Sequence, residues 1–162
     1  MSLTSPDTKQ VEQRWLVFHI AGQKYAAPLD SVSEVIRDGE VTPVPGAAAD
    51  LLGIRHLRGR IVPVMDGCRR FGLAPRTDVD AEQARIVVLS HAGHLVGLRV
   101  DVVGELVTAA TEIEPPPPGR VARAEDPVEG VLPLHDGFVA LLDVGRLCRL
   151  SREESSQEER TA

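Results

Sequence analysis

The chain has 162 residues, which suffice for one hydrophobic core or for two small modules that share one. Its net charge of −6 argues against a nucleic-acid partner, because a protein that binds phosphates needs a basic surface. Aromatic residues make up 3% of the sequence, so we expect a core of aliphatic side chains.

The two ends of the chain differ in composition from its middle. Residues 1–13 are polar and lack the basic start and apolar stretch of a signal peptide, so they predict a disordered lead. Residues 151–162 are charged and rich in serine, which is typical of a disordered tail. No apolar run approaches the ~18 residues that a membrane span needs. We therefore expect residues 14–150 to form a soluble, cytoplasmic domain with no direct membrane insertion.

The first half of the chain predicts two β-hairpins and a short helix. Residues 15–29 contain two apolar runs that meet at Gly22, and residues 54–65 contain two more that meet at Gly59. Glycine permits the positive φ angles that two-residue hairpin turns need. Asp66 follows the second hairpin and offers an acceptor for free N–H groups, so it predicts the N-cap of a helix.

The second half repeats this order of elements. Hairpins are predicted over residues 85–100, around Gly93, and over residues 131–142, around an Asp-Gly pair. Asp143 is the predicted cap of a second short helix. Between the hairpins, Pro115–Pro118 predicts an extended polyproline segment, because proline fixes φ and has no N–H to donate.

The two halves also share a residue pattern. The pattern of residues 22–36 returns at residues 93–107, 71 positions later. The pattern of residues 53–66 returns at residues 130–143, 77 positions later. Because both blocks recur in the same order, they indicate an internal duplication.

The copies lie at about residues 15–72 and 84–150, and each predicts about five short strands. We therefore predict an all-β fold of two small barrels, either interleaved or successive, because barrel closure removes exposed sheet edges. A module of about fifty residues has a marginal core of its own, so the two barrels are expected to pack on each other.

The sequence favours neither catalysis nor a cofactor. It contains no G-x-S-x-G nucleophile motif and no glycine-rich phosphate loop, and Asp66 and Asp143 are explained as helix caps. His91 and His94 flank a hairpin tip without a third ligand nearby in sequence, so no metal site is predicted. The two cysteines are too few for a disulfide framework and predict buried thiols. A barrel that senses a metal or a small ligand is kept as an alternative.

The two copies differ in charge at one turn. Arg58 and Gly59 in the first copy align with His135 and Asp136 in the second, so the first turn is basic in an acidic protein. A solvated hairpin tip would explain this, but the planar Arg58 guanidinium also suits a carboxylate, either that of Glu34 or a partner's. Because an exposed ion pair contributes only about 0.2–1 kcal/mol to stability, we expect both residues to orient a binding surface.

Taken together from Leu16 to Leu147, the motifs of this chain resemble the CheW family, the coupling proteins of bacterial chemotaxis signalling. The first half supplies Gly22-x-x-Tyr25-Ala26-x-Pro28-Leu29, Val32-x-Glu34-Val35-Ile36-Arg37, Thr42-Pro43-Val44-Pro45 and Leu57-Arg58-Gly59-x-Ile61-Val62-Pro63-Val64-x-Asp66. The second half supplies Val96-Gly97-Leu98-x-Val100-Asp101-x-Val103-x-Glu105-Leu106-Val107 and Leu141-Leu142-Asp143. No single motif is specific, but their order is.

The resemblance implies two five-stranded, SH3-like barrels packed around a shared apolar core, with a few short helices. It implies a scaffold that joins the cytoplasmic tip of a chemoreceptor, a methyl-accepting chemotaxis protein, to the regulatory domain of a CheA-type histidine kinase. That regulatory domain resembles this fold, so one barrel is expected to pair with a similar barrel on the kinase. The receptor helix is expected in the groove between the barrels.

Positions that match the family's motifs predict the partner-binding residues, which are Val32, Glu34, Ile36, Arg37, Leu57, Arg58 and Gly59. Two places depart from the family pattern. His56 stands where the family usually has Asn, and Gly67-Cys68 stands where it usually has Leu-Arg. These departures leave open a specialised paralogue that has lost or altered its kinase contact.

Overall fold

The computed structural model describes residues 13–109, 127–135 and 137–148. The strands within these ranges are β1 (Gln13–Ile20), β2 (Gln23–Pro28), β3 (Val32–Arg37), β4 (Leu51–Leu57), β5 (Arg60–Asp66), β6 (Arg85–His91), β7 (His94–Val100), β8 (Val102–Ala109), β9 (Val128–Leu134) and β10 (Gly137–Leu142). The helical elements are α1 (Gly67–Arg70), two 3₁₀ turns at Leu29–Ser31 and Ala81–Gln83, and residues 144–148. No helix of the described residues is long and apolar enough to cross a bilayer.

Three predictions fall on the ends or on the proline-rich segment. Gln13, which the sequence places in the disordered lead, is the first residue of β1. The rest of the predicted lead, the polyproline segment Pro115–Pro118 and the predicted tail at residues 151–162 lie outside the described residues.

The described strands form two five-stranded sheets. Barrel one has the strand order β3-β6-β7-β5-β4, and barrel two has the order β8-β1-β2-β10-β9. Helical segments are short and lie at strand ends. The predicted all-β fold of two five-stranded, SH3-like barrels is therefore confirmed.

Each barrel contains strands from both copies of the duplicated pattern. Barrel one combines β3, β4 and β5 of the first copy with the β6–β7 hairpin of the second, while barrel two combines β8, β9 and β10 with the β1–β2 hairpin. The exchanged hairpin joins its host sheet through a short parallel pairing, β7 with β5 and β2 with β10. Neither barrel is thus a continuous segment of the chain.

The described residues contain three clusters of buried side chains. One cluster, around Val62 and Ile86, fills barrel one, and a second, around Trp15 and Leu141, fills barrel two. The third and largest lies between the barrels and includes both free thiols, as the sequence predicts. In β1 and β6 alternate residues point into a barrel and into the shared core, so these strands are apolar along nearly their whole length.

The hairpin turns have the geometry that their glycines predict. At the β4–β5 turn Arg58 has a φ of 51° and Gly59 a φ of 80°. Positive φ at both central residues defines a type I′ turn, whose twist matches that of the flanking strands. Ala21-Gly22 and Ala92-Gly93 have nearly the same values. The four predicted hairpins are all present as antiparallel strand pairs.

Both predicted helix caps are confirmed. Asp66 Oδ1 accepts a hydrogen bond from the Cys68 N–H at 3.1 Å, and Asp143 Oδ1 accepts one from the Arg146 N–H at 3.0 Å. Gly67 lies at the start of α1, where a Cβ atom would come within 2.7 Å of Ile20 Cδ1. The end of β1 in barrel two therefore packs directly on α1, which follows barrel one.

Candidate functional site

The candidate site lies between β3 and the turn that follows β4, the two edge strands of barrel one, where Arg58 contacts Glu34. Behind it, Thr42 and Ile54 form an isolated antiparallel bridge with N–H to carbonyl distances of 2.9 and 2.8 Å. Gly53 permits this bridge, because a Cβ atom at that position would collide with the Thr42 carbonyl group. The bridge closes the barrel and fixes the β4–β5 hairpin relative to β3.

Arg58 and Glu34 meet across this closure, as the sequence suggests. The distance from Arg58 Nη2 to Glu34 Oε2 is 3.4 Å, which is long for a charged hydrogen bond. The Arg58 side chain is 85% exposed and the Glu34 side chain 26% exposed. The guanidinium is therefore held loosely at the surface, where another carboxylate can replace that of Glu34.

The other arginines of the basic turn are tied to the backbone. Arg55 Nη1 donates to the Arg37 carbonyl at 2.9 Å, and Arg60 Nη2 donates to the Gly93 carbonyl at 2.8 Å. These bonds orient strand ends rather than leave the guanidinium groups available. Among the arginines of this turn, Arg58 is thus the best placed to contact a partner.

The remaining predicted site residues have different environments. Val32 is half-buried against the shared core, whereas Ile36 and Leu57 are half-buried against the interior of barrel one. Arg37 and Gly59 are exposed. The structure thus brings Glu34 and Arg58 into contact. The apolar members Val32, Ile36 and Leu57 are half-buried and only partly available to a partner.

An ion pair lies at the end of β3. Arg99 donates from Nε at 3.0 Å and from Nη2 at 2.7 Å to the same oxygen of Asp38. This hydrogen bonding raises the pKa of the Arg99 guanidinium. Asp38 and Arg37 also line an open bowl of about 550 Å³, together with residues of the 81–85 segment. The bowl is lined mainly by charged side chains.

Two exposed apolar residues on β3 and β5, the strands that contain Glu34 and follow Arg58, are absent from the sequence prediction. Val35 is 40% exposed in β3, and Ile61 is 60% exposed in β5. Their counterparts in the second copy, Leu106 and Phe138, are 55% and 60% exposed. The duplication aligns each pair, but it does not distinguish these residues from aligned apolar residues that are buried, such as Val62 and Val139.

The histidine pair at the β6–β7 tip has no convergent third ligand in the described residues. His91 and His94 are cross-strand neighbours there. No three His, Cys, Asp or Glu side chains in the described part of the chain are grouped so that they would hold a metal ion. The metal-sensing alternative therefore gains no support from these residues.

A comparison with family models matches residues 14–152 to the CheW-like domain. The chain belongs to the CheW-like domain family. A probable chemotaxis protein CheW of Rhizobium etli is 27% identical over 157 residues, which cover 96% of this chain and 100% of the relative. The chemotaxis protein CheW of Klebsiella aerogenes is 29% identical over 145 residues, 89% of this chain and 85% of the relative.

A solved structure agrees with this CheW-like assignment. The scaffolding protein TtCheW of Thermoanaerobacter tengcongensis superimposes with a TM-score of 0.73 and 32% sequence identity, covering 82% of this chain and 89% of that one. The resemblance seen in the sequence is thereby confirmed. The CheW-like domain spans both barrels, since the family match begins in β1 and extends beyond β10.

Proposed function

We propose that this CheW-like chain is a non-catalytic adaptor of bacterial chemosensory signalling. It couples a chemoreceptor, a methyl-accepting chemotaxis protein, to the regulatory domain of a CheA-type histidine kinase. The observation that carries this proposal is the match to the CheW-like domain over both barrels, together with similarity to chemotaxis proteins along nearly the whole chain. The solved relative is a scaffolding protein, which supports a binding role. Such an adaptor works in the cytoplasm, at the receptor tips.

The proposed partner-binding surface is centred on Arg58, with Glu34 as its local partner. Arg58 occupies a left-handed position in a type I′ turn, which costs a non-glycine residue roughly 1–3 kcal/mol. Its exposed ion pair with Glu34 contributes only about 0.2–1 kcal/mol to the stability of the fold. The residue is thus poorly explained by stability, and contact with a partner's carboxylate explains it better. Val35, next to Glu34 in the chain, and Ile61, three residues after Arg58, are exposed apolar residues.

The two departures from the family pattern have different positions. His56 is exposed and lies opposite Ile61 on the neighbouring strand, so it is placed to affect a partner contact. Gly67 and Cys68 are buried, and a side chain at position 67 would also collide with the Arg99 carbonyl. The Gly67-Cys68 departure therefore concerns packing between the barrels. Nothing in the described structure favours the ligand-sensing or metal-sensing alternative.

The test is a pull-down of purified kinase regulatory domain and of receptor cytoplasmic fragment by the intact chain. We expect the wild-type chain to retain both partners. Arg58→Glu should weaken binding of at least one partner by roughly tenfold or more, since a like charge in an interface is strongly unfavourable. It should change the free energy of unfolding by no more than about 1 kcal/mol.

The matched control is Arg76→Glu. Arg76 is also an exposed arginine paired with a carboxylate, that of Asp78, but it lies outside strands β3–β5. We expect this variant to bind both partners as the wild-type chain does. Unchanged binding by a folded Arg58→Glu variant would remove Arg58 from the site, and failure of the wild-type chain to bind either partner would remove the adaptor role.

A further inference from the structure

Two arginines of the charged bowl face each other across neighbouring strands. Arg37 of β3 is the register partner of Arg85 of β6, and both line the bowl of about 550 Å³. On one side of this pair, the Asp38 N–H donates to the Ala84 carbonyl at 3.4 Å. The arginines therefore form a non-hydrogen-bonded pair, the kind in which opposite side chains stand closest. Like charges in such a position are destabilising.

Within the described part of the chain, no carboxylate forms an ion pair with either arginine. The Arg37 side chain makes no hydrogen bond or ion pair with a described residue. Arg85 Nη1 donates at 2.8 Å to the backbone carbonyls of Glu82 and Ala84, which fixes the guanidinium but leaves its charge without a counter-ion. The neighbouring carboxylate, Asp38, already accepts two hydrogen bonds from Arg99.

The fold does not require this pair of like charges. At the 71-residue offset, Arg85 is the counterpart of Arg14, and Arg37 is the counterpart of Thr108. Arg14 and Thr108 are register partners in β1 and β8, so barrel two forms the equivalent strand pair with one arginine and a neutral residue. The second arginine of barrel one is therefore better explained by a bound anion than by strand pairing.

The chemistry of the bowl suits a phosphate group. Two planar guanidinium groups offer several N–H donors, and a phosphate group has about two negative charges at pH 7 and three acceptor oxygens. A single carboxylate would neutralise only one of the two arginines. The volume of the bowl lies within the range of sites for small molecules.

We propose that the bowl binds a small phosphorylated molecule, with its phosphate group at Arg37 and Arg85. Glu82 also lines the bowl, so its carboxylate is placed to accept a hydrogen bond from a hydroxyl group of the same ligand. The ligand is therefore expected to carry one phosphate group together with hydroxyl groups. Binding requires neither receptor nor kinase, so its failure would leave the adaptor role intact.

The experiment is isothermal titration calorimetry of the intact chain with glycerol phosphate at low salt, with glycerol as the uncharged comparison. We expect glycerol phosphate to bind and glycerol not to bind. Arg37→Thr introduces the residue that barrel two has at this position, and it should weaken binding by roughly tenfold or more. Glu82→Gln should bind inorganic phosphate more tightly than the wild-type chain does, because it removes a like charge from the bowl.

The matched control is Arg76→Thr, which removes the same charge from an exposed arginine that does not line the bowl. It should bind glycerol phosphate as the wild-type chain does, and thermal unfolding should show that all variants are folded. Absence of binding at millimolar glycerol phosphate would overturn the proposal. So would unchanged affinity in Arg37→Thr, or inorganic phosphate binding that Glu82→Gln leaves unchanged, because either result places the anion outside the bowl.

Discussion

The thiol of Cys148 lies in the core between the barrels, in the same buried cluster as Leu147 and the other thiol, Cys68. Burial raises the pKa of Cys148 to about 11, and burial followed by the nearby Asp101 and Asp66 carboxylates raises the pKa of Cys68. Both groups are therefore protonated in the folded protein at neutral pH. Because both thiols lie in the shared core, the stability of the packing between the barrels depends on their protonation and is expected to fall at alkaline pH.

We predict a loss of stability at alkaline pH. The unfolded chain releases the Cys148 proton near pH 9, whereas the folded chain keeps it until about pH 11. The stabilisation is therefore complete below pH 9 and is lost as the pH rises to 11, by roughly 2 kcal/mol for a shift of this size. Urea unfolding at several pH values measures it. Cys148→Ala should show a shallower alkaline decline, and equal declines would contradict the assignment.

At the scale of elements, the turn residues made much of the fold predictable. The hairpin signals Ala21-Gly22, Arg58-Gly59 and Ala92-Gly93 act locally, because positive φ at two successive residues depends little on the rest of the chain. The caps at Asp66 and Asp143 are equally local. Each of these features is confirmed.

Other elements depend on distant partners and were not predicted. Strands β3 and β8 follow no hairpin turn of their own, and they are ordered by pairing with β6 and β1 of the other copy. The exchange of hairpins between the copies also cannot be predicted from the sequence. The two copies have the same apolar pattern, so β7 could pair with a strand of either copy. Which strands pair is determined by packing between the barrels.

The candidate site was predicted in part for the same reason. Glu34 and Arg58 were found because the two copies differ in charge at that turn. Val35 was missed because it is followed by Ile36, so the two faces of β3 both carry an apolar residue and the sequence pattern does not show which of them faces outward. Ile61 was missed because its strand neighbours, Val62 and Val64, are buried.

Closure of barrel one gives a prediction at the same scale. A side chain at position 53 would collide with Thr42 and break the Thr42–Ile54 bridge, so Gly53→Ala should destabilise the protein. Gly59→Ala is the control, because that glycine also has positive φ but no atom within 4 Å of its Cβ position. We expect Gly53→Ala to cost about 1–3 kcal/mol more than Gly59→Ala in urea unfolding. Equal costs would contradict the proposed role of the bridge.

At the scale of the whole molecule, the exchanged hairpins make the two barrels depend on each other. Each barrel loses two of its five strands if the other copy unfolds. The shared core, which is the largest cluster, is also lost at that point. The barrels are therefore one cooperative unit, and their outward faces keep a fixed relation to one another.

We predict a single unfolding transition for this reason. Trp15 lies inside barrel two and is the one tryptophan of the chain, so its fluorescence reports on that barrel. Far-ultraviolet circular dichroism reports on the strands of both barrels. The two signals should give the same midpoint in denaturant, as two-state unfolding requires. Separate midpoints would show that the barrels unfold independently.

We propose that this rigid pair of barrels connects two other proteins. The most direct measurement is sedimentation of receptor-bearing vesicles with the CheA-type kinase, in the presence and absence of this chain. We predict that the kinase sediments with the vesicles in proportion to the amount of chain added, and that Arg58→Glu reduces this amount. Kinase that stays in the supernatant whether or not the chain is bound to the vesicles would contradict the account.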